Sequence, residues 1–422
     1  MSRHEILEAK RCLKCKKPQC VEGCPVATNI PEFIQLFQDN QIMEAGKLLF
    51  ENNPLSVVCS LICPHEKQCE GHCILNRKNQ PIHISSIENY ISDYYLTVMD
   101  YQIPYKKDQM VAIIGAGPAG LTIAMMLALR GYKITIFEAN DKIGGVLRYG
   151  VPEFRLPKSI LDRIKEKLRT LGVIIRPNTL IGPNLTLDDL FTDGYHAVFI
   201  GTGVWKPNKL HIKGESLGNV HYGLDYLKNP DVYTLGNNVC VIGAGNAAMD
   251  VARTALRHGS RHVSIVYRKG LEHMPANEHD RQYAQADGVK FEFYKLPIEL
   301  TGSGLKYIQT SAETAEDGSI TWTEHSDQQG FIKADSIIVA VSQGPRDNIV
   351  ANTKDITTNK YGLVITDETG RTTREGVFAS GDVVTGANTV VEAVKYSKLT
   401  AEAIDEYLRS LKHHEAIDRH RY

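Results

Sequence analysis

The sequence predicts an α/β chain in which a helical, cysteine-rich segment precedes two parallel-sheet domains. Three observations carry that prediction. Eight of the nine cysteines lie before residue 74. Two glycine-rich turns, at 115–120 and 243–248, each follow an apolar strand and open a helix. A further glycine-containing strand end recurs at 377–382.

The chain has 422 residues, a length that suits two or three domains. Its net charge of −1 leaves no basic footprint for nucleic acid or an anionic membrane. A hydrophobic content of 42% is enough for a packed core. No apolar run approaches the roughly 20 residues that span a bilayer. The first residues are polar and lack the apolar stretch of a signal peptide. These features point to a cytoplasmic protein, where clustered cysteines serve as metal ligands rather than disulfides.

In order along the chain, residues 1–105 read as the helical segment. Apolar spacing at 30–37 and 42–50 predicts helices, with Pro31 suited to a first helical turn. A helix over 84–94 would turn Ile84, Ile87 and Ile91 to one face. Residues 101–109 are polar and read as a linker. A strand at 110–114 leads into the first glycine turn and an apolar helix to about 130. The next strand, 133–137, ends at Glu138. Ile160, Leu161, Ile164, Leu168 and Leu171 mark an amphipathic helix stopped by Gly172. A strand at 197–200 runs into Gly201 and Gly203. The strand at 239–242 and its turn repeat the first unit, as an internal duplication would. The domains read as 1–105, then 106–205 with 345–422, and 206–344 inserted between those two parts.

The cysteines form two sets. Cys12, Cys15, Cys20 and Cys24 are spaced C-x2-C-x4-C-x3-C and followed by Pro25. Cys59, Cys63, Cys69 and Cys73 are spaced C-x3-C-x5-C-x3-C. Four thiolates hold one iron–sulfur cluster, so eight fit two 4Fe–4S centres. The Cys-Pro ending resembles the bacterial ferredoxin run, whose fourth cysteine ligates the other cluster. Paired zinc sites are the competing reading, and a disulfide framework is a weaker one. Iron is favoured because two nucleotide turns follow on the same chain. Cys240, alone in an apolar strand, reads as a small core residue.

The first turn supplies Gly115, Gly117, Pro118, Ala119 and Gly120. Its first glycine permits a tight turn, and its second lets a pyrophosphate approach the helix start. Glu138 lies about 20 residues on, where an acid accepts from an adenosine ribose hydroxyl. The second turn supplies Gly243, Ala244, Gly245, Asn246 and Ala247. There the next strand ends in Arg268 and Lys269 instead of an acid. Two cations suit a 2′-phosphate, which favours NADPH with NADH still possible. The acid-marked first site is then left for FAD.

With clusters, FAD turn and NADPH turn in this order, the chain resembles the glutamate synthase small-subunit family. That family includes the N-terminal half of dihydropyrimidine dehydrogenase and the large subunit of NADH-dependent ferredoxin:NADP oxidoreductase. The resemblance covers nearly the whole chain and is carried by residues 12–34, 53–73, 144–157 and 376–394. It implies that Gly144, Gly145, Leu147 and Arg155 contact FAD. It implies that Gly381 and Asp382 meet the ribityl chain, and that Asn388, Thr389 and Val390 lie beside the reacting rings. It places NADPH against 244–247 and 268–269. The family's pyrimidine enzyme carries a further arginine soon after the Arg-Lys pair; here that stretch begins with Glu272. Ligation crosses in the family. Cys12, Cys15, Cys20 and Cys73 would hold one cluster, and Cys24, Cys63 and Cys69 the other. The fourth ligand of the second would be Glu88 or Cys59, with Glu88 favoured.

The fold class that follows is α/β, a helical two-cluster iron–sulfur domain followed by two Rossmann-like domains for FAD and NAD(P)H. The chain reads as a flavoprotein that moves electrons between NAD(P)H, FAD and two 4Fe–4S clusters. No single acid or base stands out as catalytic. No separate domain for an organic substrate is visible, so a catalytic or electron-accepting partner subunit in a hetero-oligomer is implied. The alternative is a standalone NAD(P)H:ferredoxin or sulfur-compound oxidoreductase. A thioredoxin reductase-type enzyme would need a C-x-x-C pair near the flavin, and only Cys240 follows residue 73. A non-catalytic scaffold would leave two intact nucleotide turns unexplained.

Overall fold

The computed structural model describes residues 3–101, 103, 105–314 and 319–419. The chain forms two compact units. The larger comprises Met1–Arg148, Glu153–Val204 and Pro345–Tyr422; the smaller comprises Tyr149–Pro152 and Trp205–Gly344. The cysteine-rich helical segment thus folds as part of the same unit as the first nucleotide sheet.

The helical segment is built from Ile30–Gln38, Ile42–Asn52, Ser56–Ile62 and Ile84–Val98. Pro31 occupies the first turn of its helix, where a missing N–H costs nothing. Phe33, Phe37, Leu49, Ile87 and Ile91 are almost wholly buried and share one cluster. At roughly 1.5–3 kcal/mol for each large apolar side chain, that cluster gives the segment a core of its own. Ile84, Ile87 and Ile91 do face inward, and the helix continues to Val98 before Met99 turns extended. Residues of the 101–109 linker that the structure describes lie outside helices and strands; 102 and 104 are not among the described residues.

The larger unit's sheet is wholly parallel, in the order Val377–Ala379, Ala197–Ile200, Met110–Ile114, Lys133–Phe137, Ile174–Arg176. These strands read as apolar runs because both faces are covered. The helix Pro118–Leu129 is apolar almost all round. It packs between the sheet and the C-terminal helix Val390–Arg419. Strand order reverses beside Met110–Ile114, and ligands bind at such a switch point in open α/β sheets.

The smaller unit repeats this plan. Its parallel sheet runs Val220–Tyr222, Ser336–Val339, Asn238–Ile242, His262–Tyr267, Lys290–Phe293. Cys240 is fully buried in its central strand. A three-stranded antiparallel sheet, Lys295–Thr301, Gly304–Thr314 and Ile320–Lys333, was not foreseen from the sequence. Its last strand is mostly solvent-exposed. It therefore lacks the apolar run by which a buried strand is recognised.

Gly120 shows how tightly the first turn is closed. A Cβ there would lie 2.0 Å from the Gly115 carbonyl oxygen and 3.2 Å from Ile113 Cγ2. In an open helix Gly→Ala gains about 1 kcal/mol; here backbone overlap reverses the sign. Gly120→Ala should lower the thermal midpoint, losing about 1–3 kcal/mol as overpacking does. An unchanged or raised midpoint would show that the turn has room to relax.

Candidate functional site

Cys12 and Cys15 lie in coil after the first helix, Cys20 in the short helix Gln19–Glu22, and Cys73 just before the turn Ile74–Lys78. The fold brings these four together. They line one cavity of about 100 Å³ whose apolar wall includes Ile34 and Ile84. A single water needs about 10–15 Å³ of such space, so the cavity has room for a group much larger than an ion. Among the described residues, no three His, Cys, Asp or Glu side chains close on a point as donors to one metal ion would. Burial pushes the Cys20 thiol up to about 11, and the neighbouring Cys73 and Cys12 add to it. Burial likewise raises Cys12, opposed by the Lys14 backbone and aided by Cys15 and Cys73. Crowded thiolates of this kind need compensating positive charge. A metal cluster provides it and displaces the protons.

The remaining cysteines gather around Glu88. The strongest influence on Cys63 is its hydrogen bond with Cys59; with burial and the charges of Cys59, Glu88 and Cys69 it raises that thiol well above its ordinary value. Burial raises Cys69, followed by Glu88, Glu70 and Cys24. Burial also raises Cys24, which Thr28 partly offsets and Glu88 reinforces. Glu88 itself keeps some surface exposure, but its carboxyl is withdrawn from water. Burial pushes it up to about 7, while the Ser56 hydroxyl donates to it at 2.7 Å. Three cysteines from both motifs therefore feel the charge of one carboxyl, and Cys63 is also hydrogen-bonded to Cys59. All nine cysteines are free thiols.

Around the first glycine turn, segments far apart in sequence come into contact. Gly115 adopts φ +97°, and a Cβ there would meet the Gly201 carbonyl at 2.6 Å. Gly145, at φ +52°, lies so close to Gly117 that a Cβ would reach its Cα at 2.7 Å. A Cβ at Gly381 would sit 3.0 Å from Ala119 Cβ. The stretches 115–120, 144–147 and 381–382 thus surround one helix start. Leu147 is fully buried beneath it, and Arg155 is half-buried in the following turn. Glu138 is buried and accepts from the Ala116 amide at 2.8 Å and from the Asn140 amide and side chain, each at 2.8 Å. A carboxylate has about four acceptor positions. These bonds use three of them.

Asp382 begins a short helical turn and accepts from the Asn388 amide at 3.3 Å. Burial pushes its carboxyl up to about 6, against that hydrogen bond. Asn388 in turn accepts from Thr389 at 2.8 Å, and Thr389 accepts from the Glu392 amide at 3.4 Å. These bonds fix the start of the helix that opens at Val390.

In the smaller unit, Gly243 has φ +138° and a Cβ would meet the Ala340 carbonyl at 2.2 Å. Nothing lies within 4 Å of a Cβ built on Gly245, so the helix start Asn246–Arg257 has open space before it. The Ala276 amide donates to the Ala244 carbonyl at 3.1 Å, and the Asn277 amide to Asn246 Oδ1 at 2.8 Å. Ala247 is exposed beside them. Arg268 is exposed at the strand end, and Lys269 Nζ rests 4.9 Å above the Trp322 ring. Trp322, from the antiparallel sheet, had no signal in sequence. Neither had Arg281, whose guanidinium donates to the Leu271 carbonyl at 2.9 Å and adds a third cation to this loop.

Two family models match. Residues 1–99 match dihydropyrimidine dehydrogenase domain II, 4Fe-4S cluster, and residues 109–397 match pyridine nucleotide-disulphide oxidoreductase. The glutamate synthase [NADPH] small chain of Escherichia coli K12 is 32% identical, over 95% of this chain and 91% of its own. The chain belongs to this family. It is an oxidoreductase with a 4Fe–4S domain and a flavin-type nucleotide-binding fold. Subunit PreT of the NAD-dependent dihydropyrimidine dehydrogenase of Salmonella typhimurium is 34% identical, over 96% and 94%. Among solved structures, FprA of Mycobacterium tuberculosis in complex with NADPH superposes with a TM-score of 0.59 at 17% identity, over 73% of this chain and 86% of its own. That likeness concerns the fold. Among the described residues no helix is long and apolar enough to cross a membrane.

Proposed function

We propose that the chain is the NADPH-oxidising subunit of a larger enzyme, passing electrons through FAD and two 4Fe–4S clusters to or from a partner subunit. The observation that carries this reading is the cavity lined by Cys12, Cys15, Cys20 and Cys73, which lies in the same compact unit as the first glycine turn. These four would hold one cluster. Cys24, Cys63 and Cys69 would hold the other, with Glu88, whose charge acts on all three, as its fourth ligand. Cys59, hydrogen-bonded to Cys63, is the competing donor.

The protein's part is to bind, orient and tune. In the larger unit, the amides opening Pro118–Leu129 would receive a pyrophosphate at the positive end of the helix. Glu138 would accept from the adenosine ribose. Asp382, ionised above about pH 6, would accept from the ribityl chain. Gly144, Gly145, Leu147, Arg155 and Gly381 would shape the surrounding wall. Asn388, Thr389 and Val390 would set a second helix start toward the reacting rings. In the smaller unit, 243–247 would receive the second pyrophosphate, and Arg268 with Lys269 the 2′-phosphate. Bound nicotinamide and flavin supply two-electron hydride exchange, and the clusters supply one-electron steps.

Relatives named as a small chain and as a subunit support a catalytic or electron-accepting partner, and so a hetero-oligomer. The cytoplasm, which keeps thiols reduced, is the proposed compartment.

Anaerobically purified protein should contain about eight iron atoms per chain, four for each cluster, together with FAD that NADPH bleaches. Stoichiometric zinc with little iron would contradict the reading. Replacing Arg268 and Lys269 together with glutamine should weaken NADPH binding at least tenfold, and NADH far less. Each charge-assisted bond is worth about 1.5–3 kcal/mol. Equal losses, measured by titration of the two nucleotides, would show that the pair does not read the 2′-phosphate.

A further inference from the structure

A hydrogen-bonded chain runs from the C-terminal helix to one of the cysteines. Lys398 lies about two turns into Val390–Arg419. Its ammonium donates to Asn52 Oδ1 at 2.6 Å. Asn52 Nδ2 donates to Thr28 Oγ1 at 3.0 Å and to the Val26 carbonyl at 3.2 Å. Thr28 Oγ1 lies 3.5 Å from Cys24 Sγ, and Thr28 is only 4% exposed. Lysine has only donors, so its contact fixes which end of the Asn52 amide is oxygen. Asn52 then fills an acceptor position on Thr28 and leaves the Thr28 proton for the sulfur. A metal-bound cysteine is a thiolate without a proton of its own, so in the loaded protein Thr28 must be the donor in that last contact. With the sulfur as a thiolate, every donor in the chain points from the ammonium toward Cys24. Such chains polarise one another in a low dielectric.

Lys398 is half-buried; burial holds its ammonium below the usual lysine value, and the charges of Cys24 and Glu402 oppose that. Glu402, the other acid acting on it, is hydrogen-bonded to Arg130. The cation's hydrogen-bond acceptor is thus a neutral amide directed at the sulfur.

We propose that Lys398, through Asn52 and Thr28, is a positioning residue that raises the reduction potential of the cluster held by Cys24. The inference rests on the proposed assignment of Cys24 to the second cluster. Reduction adds one electron, and so one negative charge, to that cluster. Hydrogen bonds to a ligand sulfur and a nearby fixed cation both favour the more negative state. The same contacts tie the helix that opens at Val390 to the cysteine-bearing loop. Lys398 lies about 12 Å along the axis from that helix start.

The test is an anaerobic redox titration of the holoprotein followed by electron paramagnetic resonance. Lys398→Met should make reduction of one cluster at least tenfold less favourable, about 59 mV for one electron. The other cluster should be unmoved. Lys398→Arg should restore most of the shift. Thr28→Val, which removes only the last donor, should displace the same cluster in the same direction, and it decides the matter if Lys398→Met does not assemble. Two clusters with native potentials in these variants, or equal shifts of both, would overturn the role of Lys398. Native protein that holds fewer than two clusters would instead overturn the underlying assignment.

Discussion

The return of Cys73 to Cys12, Cys15 and Cys20 is the constraint on which the N-terminal segment depends. Residues separated by the three α-helices Ile30–Gln38, Ile42–Asn52 and Ser56–Ile62 must meet at one cavity. The helices allow this because their apolar faces pack against one another, as Phe33, Phe37, Leu49, Ile87 and Ile91 do. The thiols gathered there resist ionisation, because burial and one another's charge oppose it. A cluster that binds as thiolates form would turn this cost into folding energy, as structural metals do. The second cysteine group repeats the device with a carboxyl among its thiols, at Glu88.

The two glycine turns obey a different constraint. At Gly115 and Gly243 the neighbouring strand's carbonyl leaves no space for a side chain. Packing therefore dictates the first glycine in both units. The second position differs between them. Gly117 is approached by Gly145, while nothing lies within 4 Å of a Cβ built on Gly245. The same sheet plan thus serves one site walled by its own chain and one left open. That contrast agrees with the proposed assignment of flavin to the first turn and nicotinamide nucleotide to the second.

Much of this was legible in the sequence because it is local. Buried parallel strands show as apolar runs, and Glu138 follows its turn at a fixed offset. Ile84, Ile87 and Ile91 share a helical face. What was not legible depends on long-range contact between polar residues. The exposed strand Ile320–Lys333 carries no apolar signature, yet it supplies the Trp322 ring beneath Lys269. Lys398 and Asn52 are each unremarkable alone, and only the fold joins them to Thr28 and Cys24. The crossing of the cysteine motifs lies between these extremes. Spacing shows that there are two sets, the family resemblance implies that they cross, and the folded cavity brings Cys73 beside Cys12, Cys15 and Cys20.

The most direct measurement is the paramagnetic resonance spectrum of the reduced protein with Cys12→Ser compared with that of Cys73→Ser. The crossed arrangement requires both substitutions to alter the signal of the same cluster and leave the other as in the native protein. Loss of different signals in the two variants would mean that each motif holds its own cluster, and would contradict the account.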